Sequence, residues 1–329
     1  MRKQRGFTIV ELLIVIVVIG ILAAIVIVSY NGIQKKATTV TLTSDLSNAA
    51  TALKLYQVSN STYPSSISDC PTPATGNVCL KASGSNTYTD FQADNTVSPS
   101  AACLTEKSSS GTSYYVTESG TVSVGSCTAA SCLDILNSGG SIGSGIYWIK
   151  PATSPASFRV YCDMVTSGGG WTLLVTNPGP YTSWNMTNIY SLNSNQPSIS
   201  TPYSILNKGD MIKTNQSGNL QYRIDAVSLG HWGGVWQAPY TNTFTGTTII
   251  ANATNIEKYD TWTIDTTLDD TASLTNVMPW IIDNTELLTT YGASGSWWGT
   301  IVTGISGWAP APYMSAEKPS PGIIWYWVK

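Results

Sequence analysis

The sequence predicts an α+β protein. A long N-terminal helix, with a transmembrane half and an amphipathic half, carries a small β head and is followed by a mixed α+β domain. Three observations lead there. From Leu12 to Val28 no residue is charged or strongly polar, and with Phe7–Val10 the run is long enough to span a bilayer as a helix. Leu42, Leu46, Ala49, Leu53 and Tyr56 then recur at steps of four, three, four and three, which marks one face of a helix. Beyond Tyr63-Pro64 the chain breaks into short alternating segments punctuated by Gly and Ser, the pattern of strands and hairpins.

The chain has 329 residues, enough for two or three domains. Charged residues make up 11% and the formal net charge is −3, so there is no basic footprint for nucleic acid. Outside the apolar run the surface chemistry is hydroxyl, amide and aromatic, as in an exported protein. Six cysteines, at 70, 79, 103, 127, 132 and 162, all follow the run. An even count on one side of a membrane fits disulfides. There is no CxxC pair, and the only imidazole, His231, is distant, which argues against zinc. Fifteen pairings are open to six cysteines. Sequence neighbours suggest Cys70–Cys79, Cys103–Cys127 and Cys132–Cys162, with the pairing of the first four left open.

Arg2, Lys3 and Arg5 precede the run, so that end stays in the cytoplasm and the rest is exported. Ala23 and Ala24 sit inside the run, unlike the cleavage site of a secretory signal peptide. A plain anchor leaves Glu11 unexplained, because a carboxylate in lipid is costly and usually functional. The basic leader, the Gly6-Phe7 junction, Glu11 and the apolar run together resemble the type IV prepilin N-terminus. The resemblance implies cleavage after Gly6 by a prepilin peptidase, N-methylation of Phe7, and pairing of Glu11 with the amine of a neighbouring subunit in a filament.

The helix is expected to run from about residue 8 to about 59, with proline disfavouring helix just before Pro64. Its second half packs on a disulfide-stapled head at 65–128. There Tyr115 and Thr117 before Ser119-Gly120, and Val122 and Val124 after it, read as a hairpin. Such a head is too small for a large core of its own and leans on the helix for stability.

A second module begins near residue 131. A helical turn is expected at Leu133–Leu136, and strands at Gly145–Ile149, Phe158–Cys162 and Trp171–Val175. Cys132, the Gly145–Pro151 segment, Val160-Tyr161-Cys162-Asp163-Met164 and Gly168-Gly169-Gly170-Trp171-Thr172 together resemble the start of a fibrinogen-like C-terminal domain. Thinner matches follow at Met278-Pro279-Trp280, Trp297-Trp298 and the chain end. The resemblance covers residues 131–329. It implies a Cys132–Cys162 bridge and a binding module for acetylated groups, glycans or protein ends, beside a structural calcium ion. Asp283, Asn284 and Glu286 are the oxygen donors in the calcium interval. The family's aspartate run is thinned here, and no cysteine follows Cys162. Asp265, Asp269 and Asp270 form a second oxygen-rich stretch.

All twelve tryptophans lie in 131–329. Trp148, Trp171 and Trp325 read as core strand residues. Trp297, Trp298, Trp308 and Tyr313 follow the calcium interval and are the candidate ligand-stacking set. No carboxylate pair, nucleophile elbow or phosphate loop has the context of an active site, so no enzyme is expected. The expectation is a pilin-like, minor or tip, cell-surface subunit with an adhesive module for glycan or protein. Its partners are other pilin subunits, the prepilin peptidase and the cytoplasmic membrane. A secretion-system pseudopilin and a hydrolase on a pilin anchor are the alternatives.

Overall fold

The structure is a computed structural model. It describes residues 9–68, 77–178, 184, 188–231, 233–244, 253–259, 281–282, 286–291, 297–298, 302–303 and 322–329. Gly6 and Phe7, Cys70, Asp265, Asp269, Asp270, Asp283, Asn284, Trp308 and Tyr313 lie outside the described residues.

One helix, α1 (Ile9–Asn60), accounts for the first part of the chain. At 1.5 Å per residue it is about 78 Å long. Residues 9–36 are exposed throughout, and burial begins only at Leu42. Leu42, Asp45, Leu46, Ala49 and Leu53 are the buried positions, so the three-four periodicity marks the face that the head covers.

The head is an antiparallel sheet in the order β3 (Thr87–Asp94), β4 (Ala101–Lys107), β5 (Ser113–Thr117) and β6 (Val122–Val124). A small parallel pair, β1 (Ser66–Ser68) and β2 (Asn77–Cys79), precedes it. Six of the seven residues of β4 are buried, so both its faces are covered. Ala102 and Leu104 face α1 in a core with Leu46, Ala49, Leu53, Tyr63 and Val116. On the opposite face Ala101 and Cys103 join Val97, Tyr115 and Cys127 around Trp148, a residue of the following domain.

That domain opens with α2 (Cys132–Asn137), whose N-cap Ser131 accepts the Asp134 N–H at 3.2 Å. Its main sheet has eight strands. Seven run in the order β13 (Thr254–Tyr259), β12 (Gly233–Pro239), β11 (Asn219–Ala226), β18 (Ile323–Val328), β9 (Trp171–Pro178), β8 (Phe158–Asp163) and β7 (Gly145–Ile149). The eighth, β10 (Tyr203–Ser204), pairs β9. The last strand of the chain thus inserts at the sheet's centre, between β11 and β9, where Trp325, Trp327 and Tyr326 are buried. A short helix, α3 (Gly209–Ile212), adds Ile212 to the core.

A second sheet is built from β14 (Ile281–Ile282), β15 (Glu286–Tyr291), β16 (Trp297–Trp298) and β17 (Val302–Thr303). The fold is therefore α+β, a long apolar helix followed by β-rich modules.

Candidate functional site

Three regions bear on function: the exposed end of α1, the junction between head and second domain, and the end of the second domain that carries the aromatic candidates.

Glu11 lies in the first turn of α1 and is exposed. A carboxylate there suits the positive end of the helix dipole. The helix around it is long and apolar enough to cross a membrane. Its most apolar 18-residue window has mean hydropathy 3.4, and none of that window is buried within the chain. Bare side chains from Ile9 to Ile33 make a surface that water does not tolerate, so lipid or other helices must cover it.

At the junction the chain passes from Cys127 to Cys132 in a few residues. Disulfides Cys103–Cys127 and Cys132–Cys162 bracket this passage. Cys79 is also disulfide-bonded. Contacts across the junction are both apolar and polar. Trp148, 6% exposed, packs against the Cys103–Cys127 region of the head. Tyr115 donates its hydroxyl to the Gly140 carbonyl at 3.2 Å, and the Lys150 N–H reaches the Ala129 carbonyl at 2.7 Å. Asn195 donates to the Thr96 hydroxyl at 3.1 Å, and Arg159 lies 4.0 Å from Asp94. A Cβ on Gly140 would stand 2.3 Å from the Val124 carbonyl oxygen, so only glycine fits that close approach.

A buried charge network organises one end of the large sheet. Arg223, 0% exposed, donates to Asp163 at 2.7 Å and to Asp225 at 2.9 Å, and its third contact is the Thr166 carbonyl at 3.4 Å. Its guanidinium lies over the rings of Trp327, 4.5 Å away, and Trp171, 5.2 Å away. Asp163 also accepts the N–H groups of Val165 at 3.0 Å and Thr166 at 3.1 Å. Burial pushes the Asp163 carboxyl up, but Arg223 and these donors outweigh it and hold it below the usual range. Asp225 has fewer donors, and burial pushes it up to about 6. The cluster pins the turn around Gly169, where φ is +65° and a Cβ would meet the Met164 carbonyl oxygen at 2.2 Å. Sealed from solvent, it is a structural device with no room for a substrate.

Sequence reasoning missed this network, although a signal was present. In β11 Arg223 and Asp225 are two residues apart, and period-two alternation puts them on one face with Asn219 and Gln221, opposite the apolar Leu220, Tyr222, Ile224 and Ala226. Trp171 and Trp325 are buried in their own domain, whereas Trp148 turns its back on it and fills the junction.

For the ligand and metal candidates the structure gives backbone placement. Glu286 opens β15 and pairs with Thr303, while Trp297 and Trp298 pair with Tyr291 and Thr290 at the other end of that strand. Four residues of strand separate the register positions of Glu286 and Trp298, about 13 Å. Glu286 and Trp298 therefore sit toward opposite ends of β15. His231 is exposed in the turn after β11. A half-open cleft of 260 Å³ also lies between α1 and the head sheet, lined by Lys54, Tyr63, Val116 and Glu118 among others.

Residues 1–27 match the family model described as the prokaryotic N-terminal methylation motif. Residues 128–185 match the one described as fibrinogen beta and gamma chains, C-terminal globular domain. The chain is similar to the type II secretion system core protein G of Klebsiella pneumoniae, with 42% identity over 64 residues, 20% of this chain and 46% of that protein. It thus spans less than half the length of that relative. Similarity to the type IV wide pilus major component PilA4 of Thermus thermophilus is 35% identity over 94 residues, 27% of this chain and 72% of that protein. Similarity to human fibrinogen-like protein 1 is 56% identity over 45 residues, 14% of each chain.

Proposed function

We propose that this chain, which belongs to the type IV pilin-like family, is a minor or tip subunit of a surface filament whose fibrinogen-like module binds glycan or protein. The observation that supports this most directly is the helix itself. It is bare and apolar over 9–33, buried in a head over 42–53, and its head is locked to a second module. Such a molecule holds its N-terminal half in lipid, and later among the helices of its neighbours, while the second module projects outward.

In this reading the prepilin peptidase removes residues 1–6 on the cytoplasmic side, and Phe7 becomes the methylated N-terminus. Glu11 then pairs with the amine of an adjacent subunit, which removes a lipid-facing charge by a contact made only in the filament. The bulk of the second module favours a low-copy position. Trp297, Trp298, Trp308 and Tyr313 form the ligand surface by aromatic stacking. Asp283, Asn284 and Glu286 supply two carboxylates and an amide, a donor set of the kind calcium takes. The role in this reading is non-catalytic: among the described residues of the second module, the buried charges Arg223, Asp163 and Asp225 are paired with one another.

Purified full-length chain on a glycan array, with and without chelator, tests the binding role. Trp298→Ala or Tyr313→Ala should abolish the signal while leaving the melting temperature unchanged. Uniformly blank arrays together with no capture of host surface protein would remove it. The similarity to type II secretion core proteins favours a second reading, a pseudopilin whose head meets exported cargo. Labelling of intact cells separates the two, since a piston subunit stays within the envelope.

A further inference from the structure

The contact between stalk and head buries two acidic side chains against each other. Glu106 of β4 is 0% exposed, and neither of its carboxylate oxygens has a hydrogen-bond partner. It faces Asp45 of α1, 8% exposed, with the Asn86 side chain beside it. Asp45 accepts the Ser83 N–H at 2.7 Å and the Ser83 hydroxyl at 2.8 Å. Tyr88 on β3 and Tyr114 on β5 stand directly opposite Glu106 in the sheet. The Tyr88 hydroxyl donates to the Asp45 carbonyl at 3.4 Å, and the Tyr114 hydroxyl lies 3.5 Å from that of Thr39. Among the described residues no ion pair reaches either acid.

The position is conspicuous within β4. Alternation places Ala102, Leu104 and Glu106 on the face that meets α1, and the first two are core. A third apolar residue would complete that face without cost. Instead the chain sets a carboxylate there, opposite another on the helix. Two carboxylates held together away from water repel each other and lose hydration, so burial and the neighbouring Asp45 push Glu106 up to about 8 and it keeps its proton at neutral pH unless a cation takes that proton's place. Every donor at this spot is oxygen or amide: two carboxylates, Asn86, Ser83 and two phenols. Such a set suits a small hard cation and not a thiophilic one.

We propose that Asp45 and Glu106, with oxygen donors from the residues around them, bind a divalent cation of the calcium or magnesium class that clasps the stalk helix to the head sheet. The site lies three positions beyond Leu42, where burial of the stalk begins, so the cation would fasten the first covered turn of the helix to the sheet. It is separate from the segment 283–286 in the other module.

Terbium(III), a hard-cation probe excited through nearby tyrosine, tests this on the full chain in detergent, alongside thermal melts in chelator, calcium or magnesium. Wild type should show tyrosine-sensitised emission and a melting temperature raised by calcium or magnesium. Glu106→Gln and Asp45→Asn should each weaken the response by more than about tenfold. In chelator above about pH 8, where Glu106 has lost its proton, Glu106→Gln should melt higher than wild type, because an uncompensated charge has gone. Tyr88→Phe should keep the metal-dependent melt and lose part of the emission, which serves as the readout if either acid variant does not fold. A wild-type melt indifferent to millimolar calcium and magnesium overturns the proposal. So does a response identical in Glu106→Gln, which would place the metal in the other module.

Discussion

Tyr115 of the head donates its hydroxyl to the Gly140 carbonyl of the next domain, 3.2 Å away. This bond spans what the sequence reads as a domain boundary, and Trp148 packs beside it on the head. Head and second domain are therefore one packed body. Trp148→Ala should cost about 3–5 kcal/mol, as for large-to-small changes in a core. It should also split a single calorimetric transition of the full chain into two. Tyr115→Phe leaves a buried carbonyl unpaired and should cost about 1–3 kcal/mol. A single sharp transition in Trp148→Ala would show the contact to be incidental. A fragment cut at residue 131 exposes Trp148 and should be less stable than the same domain within the whole chain.

Processing is checked by mass. The mature protein should begin at Phe7 and carry one added methyl group. A bulky residue at Gly6 should leave the precursor uncut. Glu11→Ala should insert into membrane at least as well as wild type, since a charge has been removed from an exposed apolar helix. Its yield in sheared filaments should fall sharply; wild-type incorporation would deny Glu11 its pairing role.

Arg223 balances two buried carboxylates, so truncating it strands both. Arg223→Met should destabilise by about 3–5 kcal/mol or prevent folding. Arg223→Lys keeps the charge but cannot bridge Asp163 and Asp225 while contacting the Thr166 carbonyl, and should retain part of the loss. Denaturant melts measure both. A near-neutral Arg223→Met would mean that the surrounding tryptophans alone hold this end of the sheet.

The same network sets a pH dependence with two signs. Asp225 sits above the ordinary carboxylate range, at about 6, chiefly through burial. Its contribution is therefore present below the unfolded value near 3.8 and is lost as pH rises through about 6. Asp163 is held low, so its contribution is present above the unfolded value and is lost as pH falls toward the folded one. The groups facing Asp225 are Arg223, Asp163 and Tyr259. Subtracting an Asp225→Asn melting profile from that of wild type should give a difference that declines between about pH 4 and pH 6. A flat difference would mean that Asp225 titrates normally.

The stapling Cys132–Cys162 bridge closes a loop of 30 residues. Replacing both cysteines with serine should cost about 2–5 kcal/mol by denaturant melt. An unchanged melt would assign the stability of this region to Arg223 and its partners instead.

Much of this was written in the linear order of residues, and for a physical reason. Helix periodicity, the apolar run and the hairpin punctuation are local, so Leu42–Leu53, the segment up to Val28 and the turn at Ser119-Gly120 announced themselves. The β7, β8 and β9 strands were legible because their motif is contiguous. By itself the sequence determined an anchored α+β chain with a long helix, a small head and a β-rich second module. It did not determine which residues meet across long separations. Only the tertiary structure sends the last strand to the middle of a sheet begun far upstream, gathers Asp163, Arg223 and Asp225 around one guanidinium, and turns Trp148 toward the head. It alone brings Glu106 against Asp45. Each of these depends on register and packing between distant segments, and a one-residue slip of a strand would send the same side chain to the opposite face.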